Sequence, residues 1–89
     1  MEPEVLEEIL KHKALWMRRS DVARNLGIPI STLKYYTQEG LVSIVATTEG
    51  GMTLYDFKEV ANRFSEIEHL KRKGRTLSEI KTLLTPGRS

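Results

Sequence analysis

The sequence predicts a mainly α fold: a winged helix-turn-helix with a short β-hairpin wing, two further helices after the wing and an extra helix in front of it. Three observations carry that prediction. In "VARNLGIPISTL", Ala23, Gly27 and Leu33 fall four and then six residues apart. A small residue that lets two helices approach, a glycine turn and a closing aliphatic residue at this spacing mark a helix-turn-helix. Directly after it, "LVSIVATTEGGMTLY" is rich in β-branched residues and broken by Glu49-Gly50-Gly51, so two short strands around a glycine turn are expected. Beyond the hairpin, apolar residues recur at intervals of three and four, the period of a helix.

Size and composition bound the answer. A chain of 89 residues, 39% hydrophobic and 29% charged, makes one small soluble domain, near the size at which a single core is only marginally sufficient. No apolar run approaches the roughly 20 residues needed to span a bilayer. The acidic start, "MEPEVLEE", fits neither a secretory signal nor a transit peptide. The absence of cysteine removes disulfides, thiol nucleophiles and thiolate metal sites, and suits a cytoplasmic location. Charge is unevenly spread. Residues 1–17 hold four acids and two bases, giving −2, and residues 18–89 hold twelve bases and eight acids, giving +4. A mildly basic body suits a polyanion.

The elements follow in order. Val5, Leu6, Ile9, Leu10 and Trp16 form an apolar stripe, which predicts an amphipathic helix over about 3–16, started near Pro3 and packed on the domain behind it. Residues 1–17 are therefore set apart from the domain proper, 18–85, and 86–89 form a tail. Ser20 is expected to cap a short helix from Asp21 to Leu26, with Val22, Ala23 and Leu26 inward. Gly27 supplies the positive φ of the turn, and a second helix runs from about 30 to 39 until Gly40 stops it. Asp56 is expected to cap a long helix carrying Phe57, Val60, Ala61, Phe64, Ile67 and Leu70, which ends at Gly74. Thr76 and Glu79 read as a capping box for a last helix bearing Leu77, Ile80, Leu83 and Leu84.

Helix-turn-helix and wing together suit B-form DNA. The second helix fits the major groove, and the hairpin, about 41–55, can lie along the backbone or in the neighbouring minor groove. Adjacent tyrosines cannot both face a core. Leu33 is inward, and its face continues at Tyr36 and Thr37, so Ser31, Thr32, Lys34 and Tyr35 point outward. Tyr35 can donate to a phosphate, and Lys34 can meet a phosphate or a guanine.

"DVARNLGIPISTLKYYTQEGLV", "GGMTLYDFKEV" and "HLKRKGRTLSEIKTLL" resemble the winged-helix DNA-binding domain of the MerR transcription regulators, over about residues 18–84. The most specific elements are "TLKYY" with its following Gly-Leu, the glycine-bearing wing ending in Tyr55, and the closing motif from Gly74 to Ile80. The resemblance implies sequence-specific binding of double-stranded DNA in transcription regulation. No cofactor is expected, and the lack of cysteine and of ligand-spaced histidines argues against a metal. RNA polymerase and a second copy of the chain are the further candidate partners. The implied DNA-facing set is Arg18, Arg19 and Arg24 around the first helix, Ser31, Thr32, Lys34 and Tyr35 on the second, and Thr53 on the wing. Lys34 stands where the family has a DNA-contacting arginine. Met52 and Thr53 replace the tyrosine and arginine of the family's wing, and Ser31 occupies a position often held by arginine. The long dimerisation helix and effector domain that normally follow Leu84 are not in this sequence, so the chain is either an excised domain or a small member.

Other motifs argue less. "KRKGR" (Lys71, Arg72, Lys73, Arg75) is either a second phosphate patch or a complement to a helix C-terminus. His12 and His69 lack ligand-spaced partners, and no nucleophile or phosphate-loop motif suggests an enzyme. Two alternatives stay open: a small DNA-architectural, excisionase-like protein, and a helix-turn-helix module reused to bind protein.

Overall fold

The computed structural model describes residues 3, 4 and 15–85. Of the expected N-terminal helix, residues 5–14, with Val5, Leu6, Ile9 and Leu10, lie outside the described residues. Within them the order is β1 (Trp16–Arg18), α1 (Arg19–Leu26), α2 (Ile30–Gln38), β2 (Ala46–Thr47), β3 (Thr53–Asp56), α3 (Phe57–Arg72) and α4 (Leu77–Leu84). This is the predicted winged helix-turn-helix, with its sheet enlarged by one strand.

Trp16 is not the end of a helix. It opens β1, which pairs antiparallel with β3 in the register Trp16↔Asp56, Met17↔Tyr55, Arg18↔Leu54. The Phe57 amide also donates to the Leu15 carbonyl at 2.9 Å. The sheet order is β1-β3-β2, so the central strand is the return strand of the wing. The reason is a partner that sequence spacing does not reveal: β3 offers a free edge opposite β2, and a three-residue segment satisfies its backbone groups there.

The strand runs straight into α1, and this displaces the cap. Arg18, in extended conformation, is the N-cap and makes no side-chain cap bond. Ser20 sits inside the first turn instead of capping it. At the other end, Gly27 has φ 69°, and the amides of Gly27 and Ile28 donate to the carbonyls of Arg24 (3.2 Å) and Ala23 (3.0 Å). That pair of bonds is a Schellman motif, which needs the left-handed residue that glycine supplies without penalty. The same pairing closes α2 through Gly40 and Leu41, and α3 through Gly74 and Arg75.

The wing tip is specified by its own chemistry. The Gly51 amide donates to the Thr48 carbonyl at 2.9 Å and the Thr48 amide to the Met52 carbonyl at 2.9 Å. The Met52 amide then donates to the Thr48 hydroxyl at 3.0 Å. With Gly51 at φ 83°, this is a tight turn followed by a left-handed glycine, the form of a three-residue hairpin loop.

The core gathers Val22 and Ala23 of α1, Leu33 and Tyr36 of α2, Leu41 and Val42 behind α2, Tyr55 of β3, Val60 and Ile67 of α3 and Ile80 of α4. As the three-and-four spacing predicts, Asp56 caps α3 by accepting from the Glu59 amide at 3.2 Å. Thr76 and Glu79 form a complete capping box on α4. Leu83 is 50% exposed. On α4 the inward stripe is Leu77, Ile80 and Leu84, and Leu83 falls beside it.

Candidate nucleic-acid interface

Which side of α2 is available follows from what holds it. Leu33 is 1% exposed and Tyr36 5%, and the Tyr36 ring lies 6.5 Å from that of Phe64 on α3. That packing turns the neighbouring positions outward. Tyr35 is 46% exposed, Ser31 and Lys34 are exposed and Thr32 is half-buried. One tyrosine anchors the helix and the other faces away, as the adjacency required. Lys34 has no ion-pair partner among the described residues.

The start of α2 is also open to an anion. Its N-cap is Pro29, no side chain caps it, and no acid stands in its first turn. The positive end of the helix dipole is therefore not neutralised locally. Ile30, 50% exposed, sits in that first turn. Sequence reasoning missed it because an apolar residue at a helix start reads as core.

The arginines divide into two kinds. Arg18 and Arg24 share one acid: Arg18 Nε lies 3.3 Å and Arg24 Nη1 3.5 Å from the Asp21 carboxylate. Both remain largely exposed, at 54% and 75% of the side chain. Such surface pairs are worth little and can be exchanged for phosphate, while Asp21 keeps the two cations on one side of α1. Arg19 is different. Its Nε donates to the Tyr55 hydroxyl at 2.9 Å, so one of its donors is turned into the domain and only the rest of the guanidinium can serve an outside partner.

The wing departs from a phosphate clamp. No lysine or arginine lies between Lys34 and Lys58, and the exposed side chains of this stretch include Ile44, Val45 and Met52. Thr53 lies on β3 opposite Thr47 and is half-buried. What the wing can offer to a polyanion is hydroxyl and backbone donors, not charge.

Two more cross-links set α4. Arg63 of α3 donates to the Leu84 carbonyl at 3.0 Å, and Lys81 Nζ lies 3.7 Å from the carboxylate of Glu39 at the end of α2. In the "KRKGR" segment, Lys71 pairs with Glu68 and Arg75 with Glu79, and Arg72 and Lys73 are exposed. Among the described residues no helix is long and apolar enough to cross a membrane. Nor do any three His, Asp or Glu side chains among them come together as a metal site.

Known proteins share this arrangement. The sequence model of the family described as "MerR HTH family regulatory protein" matches residues 17–85. Nodulation protein NolA of Bradyrhizobium diazoefficiens is 34% identical over 64 residues, covering 72% of this chain and 27% of that protein. The HTH-type transcriptional regulator ZntR homolog of Haemophilus influenzae is 35% identical over 68 residues, covering 76% of this chain and 50% of that protein. Among solved structures, HiNmlR, a MerR family regulator lacking the sensor domain and bound to promoter DNA, superposes with a TM-score of 0.64 at 29% identity. That match covers 78% of this chain and 52% of the other. The chain thus spans about half the length of two of these proteins and about a quarter of the third.

Proposed function

This chain belongs to the MerR helix-turn-helix family of regulatory proteins, and we propose that it binds double-stranded DNA sequence-specifically to regulate transcription in the cytoplasm. The observation that carries this reading is the division of α2. Leu33 and Tyr36 fix the helix to the core, and Ser31, Lys34 and Tyr35 are held outward on the opposite side with the helix N-terminus open. In the major groove, Lys34 supplies a charge to guanine or phosphate, and Ser31 and Thr32 are short enough for close approach. Tyr35 donates its hydroxyl to the backbone. Arg18 and Arg24 take phosphates on one flank, with the free donors of Arg19 beside them, and Thr53 and its neighbours on the wing add uncharged contacts. That the similar regulator HiNmlR is bound to promoter DNA in its solved structure supports DNA as the partner. Two copies on paired half-sites, working with RNA polymerase, complete the proposal.

The wing supports a second reading. A hairpin with no basic residue that exposes Ile44, Val45 and Met52 suits a protein surface better than a phosphate backbone, so the module can serve a protein partner.

The test is selection of a preferred duplex from a random pool, followed by fluorescence anisotropy over a range of salt. DNA recognition predicts an enriched site and an affinity that falls steeply with salt. No enrichment, with salt-insensitive binding, would overturn it in favour of the protein-binding module.

A further inference from the structure

Tyr55 is completely buried, yet it carries a hydroxyl that must be satisfied there. Two groups satisfy it. Arg19 Nε donates to it at 2.9 Å, and Thr37 Oγ1 lies 2.8 Å away. Thr37 Oγ1 is also 2.7 Å from the Leu33 carbonyl, which can only accept. A threonine has one hydroxyl hydrogen, and the carbonyl takes it. The Tyr55 hydroxyl must therefore donate to Thr37. The chain of donors has one direction: Arg19 to Tyr55, Tyr55 to Thr37, Thr37 to the Leu33 carbonyl. Aligned bonds of this kind, away from water, strengthen one another.

The three side chains come from the three parts of the interface. Arg19 begins α1, Thr37 lies on the recognition helix α2, and Tyr55 lies on β3, the return strand of the wing. Leu33 and Tyr36 of α2 share the apolar core with Tyr55 of β3, and the relay adds a directional polar tie between the two elements. From Tyr55 the wing projects through β3 to a tip already braced by Thr48.

We propose that Tyr55 is a positioning residue. Through Arg19 and Thr37 it fixes the direction of the wing relative to α2, and so sets which base pairs are read together. This rests on the DNA-binding reading above. Arg19 then acts mainly inward, as the charged end of the relay, and not as a phosphate contact equal to Arg18 and Arg24.

The experiment uses the whole chain and its selected duplex, with hydroxyl-radical footprinting to locate the segments under α2 and under the wing. Discrimination against changed base pairs is then measured in each segment. Tyr55→Phe keeps the ring in the core and removes the relay. It should lower discrimination in the wing segment roughly five- to tenfold, the net worth of one ordinary hydrogen bond, and leave the α2 segment unchanged. Thr37→Val should do the same, and the double variant should lose no more than either single one. Val60→Ala, which weakens the core without removing a group of the relay, should lower the melting temperature without changing the ratio between segments. If Tyr55→Phe and Thr37→Val discriminate as wild type does in both segments, or lose both segments equally as Val60→Ala would if it acted through stability, the positioning role is wrong. A wild-type footprint with no wing segment overturns it also. A wild-type chain that selects no sequence overturns the DNA reading itself, a distinguishable result.

Discussion

At the scale of single residues, α2 separates folding from recognition along its own surface. Leu33 is 1% exposed and Lys34, its neighbour, is exposed. Leu33→Ala should therefore cost about 2–5 kcal/mol of stability, through lost burial and the cavity left behind, and denaturant unfolding will measure it. Lys34→Ala and Tyr35→Phe should leave the melt nearly unchanged. On DNA, loss of a base contact by Lys34 should weaken the preferred site by roughly 1–3 kcal/mol and relax discrimination. If Lys34 touches only phosphate, affinity should fall about equally on all duplexes and the salt slope should shrink by about one unit. Anisotropy at several salt concentrations separates the two. Which tyrosine is core was legible because residues 33 and 36 share a helix face. The partner of Arg19 was not, since Tyr55 is 36 residues away and only the closed sheet brings them together.

Elements are delimited here by chemistry at their ends. α4 begins with a reciprocal box: the Glu79 amide donates to the Thr76 hydroxyl at 3.2 Å, and the Thr76 amide donates to the Glu79 carboxylate at 3.0 Å. Thr76→Ala should cost about 1 kcal/mol, seen as a lower midpoint in denaturant. The bond from the Thr76 amide, then that from its hydroxyl, holds the Glu79 carboxyl below its ordinary value, with Arg75 adding to the effect. A lowered folded value means the contribution is fully present above the ordinary carboxylate range. It is lost as pH falls through the lowered value. Melts of wild type and Glu79→Ala should therefore differ at neutral pH and converge in acid; a difference that persists there would contradict the assignment. In the helix-turn-helix, Gly27→Ala meets no neighbouring atom. Its cost should come from the left-handed backbone alone, about 1–2 kcal/mol, again read from the denaturant midpoint.

At the scale of the molecule, the proposed pairing of two copies can be argued from charge. The proposed recognition surface has Lys34, Arg18 and Arg24 as its cations, and the wing brings none. A single copy should therefore hold an isolated half-site weakly, around micromolar, and two copies on adjoining half-sites should bind much more tightly through linkage. Titrating duplexes with one and two half-sites, with the stoichiometry read by analytical ultracentrifugation, checks this. Equal affinity per site on both duplexes would remove pairing from the proposal. Tandem direct repeats bound better than an inverted pair would favour the architectural alternative.

The sequence by itself determined the four helices of the helix-turn-helix and of the pair after the wing, the caps of α3 and α4, the glycine turns, and most of the residues that turn inward. These depend on contacts within about one or two turns, which spacing encodes: Gly27, Asp56, Gly74 and the pair Thr76–Glu79 each act on residues a few positions away. It also carried the hairpin, because the Glu49-Gly50-Gly51 turn is local. Only the tertiary structure decided what depends on distant partners. Trp16–Arg18 is a strand because β3 has an open edge for it, and Arg18 takes the cap position from Ser20 because that strand enters α1 directly. Arg19 turns inward because a hydroxyl from β3 meets it there. A three-residue strand has too little length to carry a period of its own, and a hydrogen bond across 36 residues leaves no spacing to read.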